Sequence, residues 1–377
     1  MPILIKANLQ CGFNCSYCYQ HPFRPEDEVI EHDEVLKSIN TIHERSGGEK
    51  IILHGGEPLM LSKKEIDLFL RTSYEKNGFS AIQTNAYLID EDIISMFKKY
   101  KTGVGISIDG PWSCNALRGS GTAKERKKQT SKILSNIDRL IEEKIIPGII
   151  IVVHKQNAIG DNRETLKEWI LSLNKRRITG RLNPCITGNM KYDLTPEEAS
   201  DFYIDMLNFM MENGIRGWSP YQDVINTLKG EGSVECKFRE CDPLATAAAT
   251  SVMRDGTIGV CLRLYGDGKE YERHNSVTDV RGRVLQKYDC KGCEWWEHCH
   301  GGCSSSAIDF DWRNKDRFCL LWKTLFVRIS RILSIFGEKK QQKRPPEQVD
   351  CDKPISKNNH TDGMEHLDDG WRHLDSM

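Results

Sequence analysis

Short apolar runs alternate with longer amphipathic stretches through the first half of the chain. Ile3–Asn8, Lys50–His54, Phe79–Thr84, Val104–Ile108, Pro147–His154 and Ile178–Leu182 read as strands. Between and after them, Glu31–His43, Ser62–Tyr74, Glu91–Tyr100, Ala123–Glu143, Arg163–Leu173 and Pro196–Glu212 carry helical spacing. Strand followed by helix, six times over, predicts an α/β fold with a parallel sheet under covering helices. If that sheet curls into a partial TIM-like (β/α)6 barrel, the strand C-termini and their loops gather on one face.

The pattern breaks near Gly230. From there to Cys319 the segments are short and rich in cysteine, with a hairpin predicted over Ser251–Cys261, turned at Asp255-Gly256. Leu320–Phe336 reads as an apolar helix carrying Lys323, Arg328 and Arg331, packed on the barrel in preference to lying on a membrane surface. From Gly337 the chain is polar (KKQQKRPPEQ) and reads as disordered. The expected organisation is therefore a barrel over 1–230, a cysteine-rich domain with its helix over 231–336, and a tail over 337–377. The tail repeats His360-x-Asp362, His366-x-Asp368 and His373-x-Asp375, which suits a solvated polar segment better than a metal site of fixed geometry.

Composition narrows the partners. A net charge of −1 over 377 residues gives no global field for nucleic acid. No apolar run reaches the roughly 18 residues of a membrane-spanning helix, and MPILIKANLQ lacks a secretory pattern. Fourteen cysteines without an export signal read as metal or redox ligands in a reducing cytoplasm.

Three of them, Cys11, Cys15 and Cys18, share one loop in the spacing C-x3-C-x2-C. Three thiolates can hold a 4Fe–4S cube and leave one iron open to bind a small molecule, whereas a four-cysteine site mainly stores or passes an electron. A structural zinc site is the alternative from spacing alone, but it wants four ligands and the nearest histidine, His21, lies three residues beyond Cys18. Directly after the strand IILH comes Gly55-Gly56-Glu57-Pro58. Glycines there let backbone approach a ligand, and a carboxylate beside them can accept hydrogen bonds from an ammonium group.

A three-cysteine loop followed one β/α unit later by GGEP resembles the radical S-adenosylmethionine (SAM) enzymes. The resemblance implies that SAM chelates the open iron through its amino and carboxylate groups and that one electron cleaves it to a 5′-deoxyadenosyl radical. That radical then abstracts hydrogen from a substrate. By the same resemblance the GGEP strand (Gly55, Gly56, Glu57, Pro58) holds the SAM amine, Tyr17 meets the adenine, and Ile186 flanks it. Asn85 ends the third strand, and the stretch Ser107-Ile108-Asp109-Gly110 ends the fourth, with Ser107 at the SAM ribose and Arg118 at its carboxylate. No residue is singled out as the catalytic base; Asp109, His54 and Tyr87 lie near strand ends and are the candidates.

In the second half, Cys241 is followed after fourteen residues by Gly256 and after four more by Cys261. Next come Cys290-x2-Cys293-x5-Cys299-x3-Cys303 and, fifteen residues on, Cys319. This order is similar to the seven-cysteine SPASM pattern, with Cys236 as an eighth. A zinc ribbon would explain only Cys290 and Cys293. The resemblance implies two auxiliary 4Fe–4S clusters, one on Cys236, Cys241, Cys261 and Cys303, the other on Cys290, Cys293, Cys299 and Cys319. With the SAM-binding cluster that makes three, or about 12 irons per chain. Cys114, Cys185 and Cys351 are left over. Cys185, at the end of the sixth strand, reads as a buried structural thiol although it is placed to face the cavity.

SPASM domains imply a peptide or protein substrate. The favoured expectation is a peptide maturase that installs a cyclophane, another carbon–carbon link, an ether or a thioether in a ribosomally made precursor. Anaerobic sulfatase maturases, which make formylglycine, are the second candidate. Their pattern places an Asp, thought to be the base, after the cysteine matching Cys261, where this chain has Leu262. An iron–sulfur electron-transfer protein is the non-enzymatic alternative. The barrel is expected to begin almost at residue 1, so a separate leader-peptide recognition protein or the barrel surface would grip the precursor, and a flavodoxin- or ferredoxin-type donor would supply electrons.

Overall fold

A computed structural model of the chain describes residues 2–20, 24, 29–46, 48–231, 236–239, 241–243, 250–259, 261, 263 and 280–335. The polar tail and its His/Asp repeat, His21 and Leu262 lie outside the described residues. Elements run β1 (Ile3–Lys6), α1 (His32–Ser46), β2 (Ile51–His54), α2 (Lys63–Asn77), β3 (Ala81–Thr84), α3 (Glu91–Lys99), β4 (Gly103–Ser107), α4 (Trp112–Asn115) and α5 (Ala123–Glu142). They continue as β5 (Gly148–Val153), α6 (Lys155–Ala158), α7 (Asp161–Lys175), β6 (Gly180–Pro184), α8 (Pro196–Glu212) and α9 (Tyr221–Lys229). Beyond these lie β7 (Thr250–Met253), β8 (Ile258–Gly259), α10 (Val280–Lys287), α11 (Trp296–Cys299) and α12 (Cys319–Ile335).

The six predicted strands are present and parallel, in the spatial order β6-β5-β4-β3-β2-β1. Their alternation sorts side chains to two faces. In β5, Ile149, Ile151 and Val153 are buried under helices, while Ile150 and Val152 line a cavity on the other side. Gln83, Ser107 and Asn183 face the same cavity from β3, β4 and β6. The helices start where short polar side chains satisfy free amides: Ser62 with Glu65, Thr122 with Glu125 and Thr195 with Glu198 form capping boxes on α2, α5 and α8.

The sheet is larger than the six strands expected. The hairpin of β7 and β8 is present and turns at Asp255-Gly256, and it also joins the main sheet: β7 pairs parallel with β1, Thr250 opposite Ile3. The physical reason is that β1 would otherwise present an open edge of unpaired backbone groups. The turn is fixed from α1, whose Ser38 Oγ donates to the Gly256 carbonyl at 2.6 Å. Gly256 has φ of +83°, and a Cβ there would fall 2.8 Å from Glu34. α9 was absent from the sequence reading. Together with α8 it forms the bed on which α12 packs, with Leu321, Trp322, Leu325, Phe326 and Ile329 buried. No helix among the described residues is long and apolar enough to cross a membrane.

Candidate active site

At the C-terminal ends of the strands lies a cavity of about 360 Å³, inside the range for small-molecule sites. Cys11, Cys15 and Cys18 form part of its wall. Their loop is tied on both sides by backbone. Ser16 and Asn14 amides donate to the Leu117 and Gly119 carbonyls at 2.9 and 3.1 Å, which seats Arg118 between them at the cavity. On the other side the Gly56 amide donates to Asn8 O at 2.8 Å and the Glu57 amide to Gln10 O at 2.7 Å.

These bonds revise the role of the glycine pair. A Cβ on Gly56 would lie 2.2 Å from Gln10 O and 2.3 Å from Leu9 O, and one on Gly55, with φ of +153°, 2.4 Å from Asn8 Oδ1. The close approach they permit is to the chain entering the cysteine loop. Glu57 lines the cavity, yet its carboxylate is already engaged. It accepts from Thr84 Oγ1 at 2.6 Å, the Asn85 amide at 2.7 Å and the Leu59 amide at 3.0 Å. Three of a carboxylate's four or so acceptor positions are thus taken, so Glu57 sets the turn as much as it faces a ligand. Pro58 opens a short 3-10 turn behind it and is not among the lining residues.

Beneath the cavity floor is a buried polar chain. Arg118 Nη1 donates to Tyr17 Oη at 2.7 Å and Tyr17 Oη donates to Asp109. Arg118 also lies 3.6 Å from Asp109 Oδ1, and the Val152 amide donates to that oxygen at 2.9 Å. His154 Nε2 is 3.4 Å from Asp109 Oδ2, near enough for attraction but off the line of a hydrogen bond. Burial alone would raise the Asp109 carboxyl. The Arg118 charge, with His154 and Tyr17, outweighs it and holds the carboxyl below its ordinary value. Burial, the largest effect on Tyr17, pushes its hydroxyl well up. Asp109 has no exposed surface, so it positions Tyr17 and Arg118 and does not reach the cavity. Arg118 Nε is buried and has no partner, an open donor suited to a carboxylate such as that of SAM.

His54 lines the cavity, and burial with the nearby Lys6 lowers its pKa to about 4. The Gly55 amide donates to its Nδ1 at 2.8 Å, which places the proton on Nε2. His54 is therefore a neutral donor with no free lone pair, a poor proton acceptor. Tyr87 does not line the cavity; it packs behind the loop against Phe13, ring centroids 5.5 Å apart. Asn85, Ser107 and Ile186 do line it, and Gln83 Nε2 donates to Ser107 Oγ at 2.9 Å. Cys185 is almost fully buried at the wall, its thiol held up by burial and by Asp193.

Several lining residues escaped the sequence reading: Tyr19, Arg24, Arg263, Ser305 and Phe310. Arg24 donates to the Cys11 and Phe13 carbonyls at 3.3 and 2.8 Å and stands 3.7 Å from Cys18 Sγ. Tyr19 and Arg24 follow the cysteines before α1, Arg263 follows Cys261, and Ser305 and Phe310 lie in 3-10 turns between α11 and α12.

Eight further cysteines fall into two neighbourhoods. Cys241 feels Cys303 and Cys261, while Arg263 feels Cys303, Cys261 and Cys236. Cys290, Cys293, Cys299 and Cys319 ring a second, small cavity with Trp295, Trp296, Trp322 and Phe326. Burial raises Cys11 and Cys290 to about 11 and Cys241 to about 12, so iron bound there must displace protons. No three His, Cys, Asp or Glu side chains among the described residues converge on a single metal-ion position.

Arg281 knits these loops together. Only 1% exposed, it donates to the carbonyls of Trp312, Cys241, Gly302, Gly301, Asn314 and His300. Asp316 does the complementary task, accepting from the Cys303 amide, the Phe318 amide and Trp322 Nε1 at 2.9 to 3.0 Å.

Comparison with known proteins agrees with this geometry. Residues 8–169 match the Radical SAM superfamily. A cysteine-type anaerobic sulfatase-maturating enzyme of Clostridium perfringens is 24% identical over 366 residues, spanning 86% of this chain and 95% of its own. Among solved structures, anSMEcpe with bound AdoMet (that is, SAM) superposes with a TM-score of 0.70 at 20% identity, covering 90% of this chain and all of that one. Streptococcus suis SuiB bound to its precursor peptide SuiA gives 0.56 at 15% identity, covering 85% of this chain and 75% of that one. The α/β architecture matches the radical SAM fold, and residues 8–169 carry a Radical SAM domain, which marks the chain as an enzyme.

Proposed function

We propose that this enzyme modifies a peptide or protein by removing a hydrogen atom from it. The observation that carries the reading is the three-cysteine loop at the wall of a cavity of about 360 Å³ that Glu57, Ser107 and Arg118 also line. Cys11, Cys15 and Cys18 would hold the iron. Arg118, through its free Nε, would take the SAM carboxylate, with Tyr17, Gly55, Gly56, Asn85, Ser107 and Ile186 around the rest. Bound there, SAM and a reduced four-iron cluster would supply the 5′-deoxyadenosyl radical. The protein contributes orientation and a sheltered floor. The two further cysteine sets would carry auxiliary four-iron clusters that take up the electron left after hydrogen loss.

The finer reading is a maturase that installs a cross-link in a ribosomally made precursor, in a reducing cytoplasm, fed by a flavodoxin- or ferredoxin-type donor and helped by a leader-recognition protein. It is favoured by Leu262, which stands where the sulfatase maturases' pattern has an Asp. Formylglycine formation is an equally supported second reading, because the likeness to a sulfatase maturase runs along 86% of this chain. Anaerobic, iron-reconstituted protein should cleave SAM to 5′-deoxyadenosine under reduction and contain about 12 irons. Absence of cleavage would end the enzymatic proposal. Formylglycine on a sulfatase peptide, with no cross-link on short peptides encoded beside the gene, would decide for the second reading.

A further inference from the structure

The cavity wall carries three arginines and one carboxylate, and that carboxylate, Glu57, is bonded on both oxygens. Two of the arginines are committed. Arg24 donates to the Cys11 and Phe13 carbonyls, and Arg118 sits on Tyr17 and Asp109. Arg263 is different. It is accessible from the cavity, and the groups it feels are the thiols of Cys303, Cys261 and Cys236 and the Tyr19 hydroxyl. No carboxylate among the described residues pairs with it. It comes from the C-terminal half of the chain, lines the same cavity and is close enough to Cys185 to act on its thiol. An accessible guanidinium at a sheltered cavity wall is matched in shape and charge by a carboxylate, which it can grip with two parallel hydrogen bonds.

We propose that Arg263 receives a carboxylate of the peptide substrate, so that an acidic group beside the reacting residue decides which residue loses hydrogen. This deepens the peptide-modifying reading and rests on it. The carboxylate can belong to an Asp or Glu side chain or to a peptide C-terminus, and the two are separable.

The test uses iron-reconstituted protein with SAM and sets of synthetic peptides. One bears Glu with an amidated C-terminus, its twin bears Gln, and a third bears Gln with a free C-terminus. Phenylglyoxal modification of Arg263, mapped by mass spectrometry, should slow about tenfold or more with the Glu peptide over the Gln twin, as a charge-assisted pair predicts. Slowing by the third peptide in place of the first identifies the terminal carboxylate. Where a peptide is turned over, KM should rise about tenfold on Glu→Gln, and Arg263→Gln should erase that difference. Equal protection by acid and amide peptides overturns the proposal, as does an acid preference that survives in Arg263→Gln. Weakened SAM binding in Arg263→Gln equal to that in Arg118→Gln also overturns it, placing the arginine on SAM itself. Protection is read without turnover, so failure of SAM cleavage, which would remove the enzymatic reading, stays distinct from failure of this one.

Discussion

The loop of Cys11, Cys15 and Cys18 and the ring of Cys290, Cys293, Cys299 and Cys319 are built from the same residue type to opposite ends. The first borders a cavity of about 360 Å³ with arginines, amides and hydroxyls on its walls. The second is far smaller, about 20 Å³, and is walled by Trp295, Trp296, Trp322 and Phe326. Three thiols with space beside them can share a cluster with a ligand; four thiols under stacked aromatics leave none. The supports differ accordingly. Hydrogen bonds to the backbone, from the turn after β2 and the segment between α4 and α5, hold the first loop. A buried arginine and a buried aspartate hold the loops around the second, where nothing must enter.

The breaking points of that contrast are unequal. The largest effect belongs to Cys15→Ala, which should abolish 5′-deoxyadenosine formation, by about a thousandfold or more, and lower iron by about four per chain. Cys293→Ala should lose similar iron yet keep SAM cleavage. Product assay and iron analysis of the two variants check the division directly; equal loss of cleavage in both would erase it.

Next is Arg281→Met, which takes a donor from six carbonyls in a buried place, Gly301 keeping a second one from the Asp316 amide. It should destabilise the cysteine-rich region by more than about 3 kcal/mol, seen as early loss of tryptophan fluorescence on thermal unfolding. At the open site, Gly56→Ala forces a methyl group onto two backbone oxygens and should cost about 3 kcal/mol. Iron analysis should show the loss centred on the first loop.

A pH titration sharpens the comparison further. His54 titrates at about 4 in the fold and near 6.5 when unfolded. Between those values the unfolded chain binds more protons, so stability is full above about pH 6.5, falls as pH drops and levels off near pH 4. At pH 5 the loss attributable to His54 is of the order of 2 kcal/mol. His54→Gln should flatten the denaturation free energy over that window; an unchanged slope would contradict the neutral assignment. The smallest effect is Gly292→Ala beside the closed ring. Its φ is +67° with nothing within 4 Å, so only the backbone strain of about 1 kcal/mol remains. A shift in melting temperature beyond a few degrees would mean that this loop is tighter than described.

Much of this could be read from residues alone, for identifiable reasons. IILH and GIIIVV are strong strand signals, and alternation within them assigns Ile150 and Val152 to the cavity once the sheet is parallel. The cysteine spacings and GGEP are local, so a linear reading finds them. Arg263, Phe310 and the pair Tyr19 and Arg24 come from three distant stretches of the chain, and only folding brings them to one cavity. Glu57 was found but its task was half seen, because Thr84 and Asn85, the donors that occupy it, come from the next strand. The pairing of Thr250 with Ile3 left no trace either: TSVM is four residues with two hydroxyls, too short to declare a partner.

That pairing has a consequence for how the protein is made. β1 leaves the ribosome roughly 250 residues ahead of β7, which at about 5–20 residues per second is tens of seconds. Throughout that interval the β1 edge has unpaired amides and carbonyls and no partner strand. Nascent chains halted before β7 should therefore be caught by chaperones or stick to one another. Release of the barrel from that hazard waits on a hairpin encoded among the cysteines.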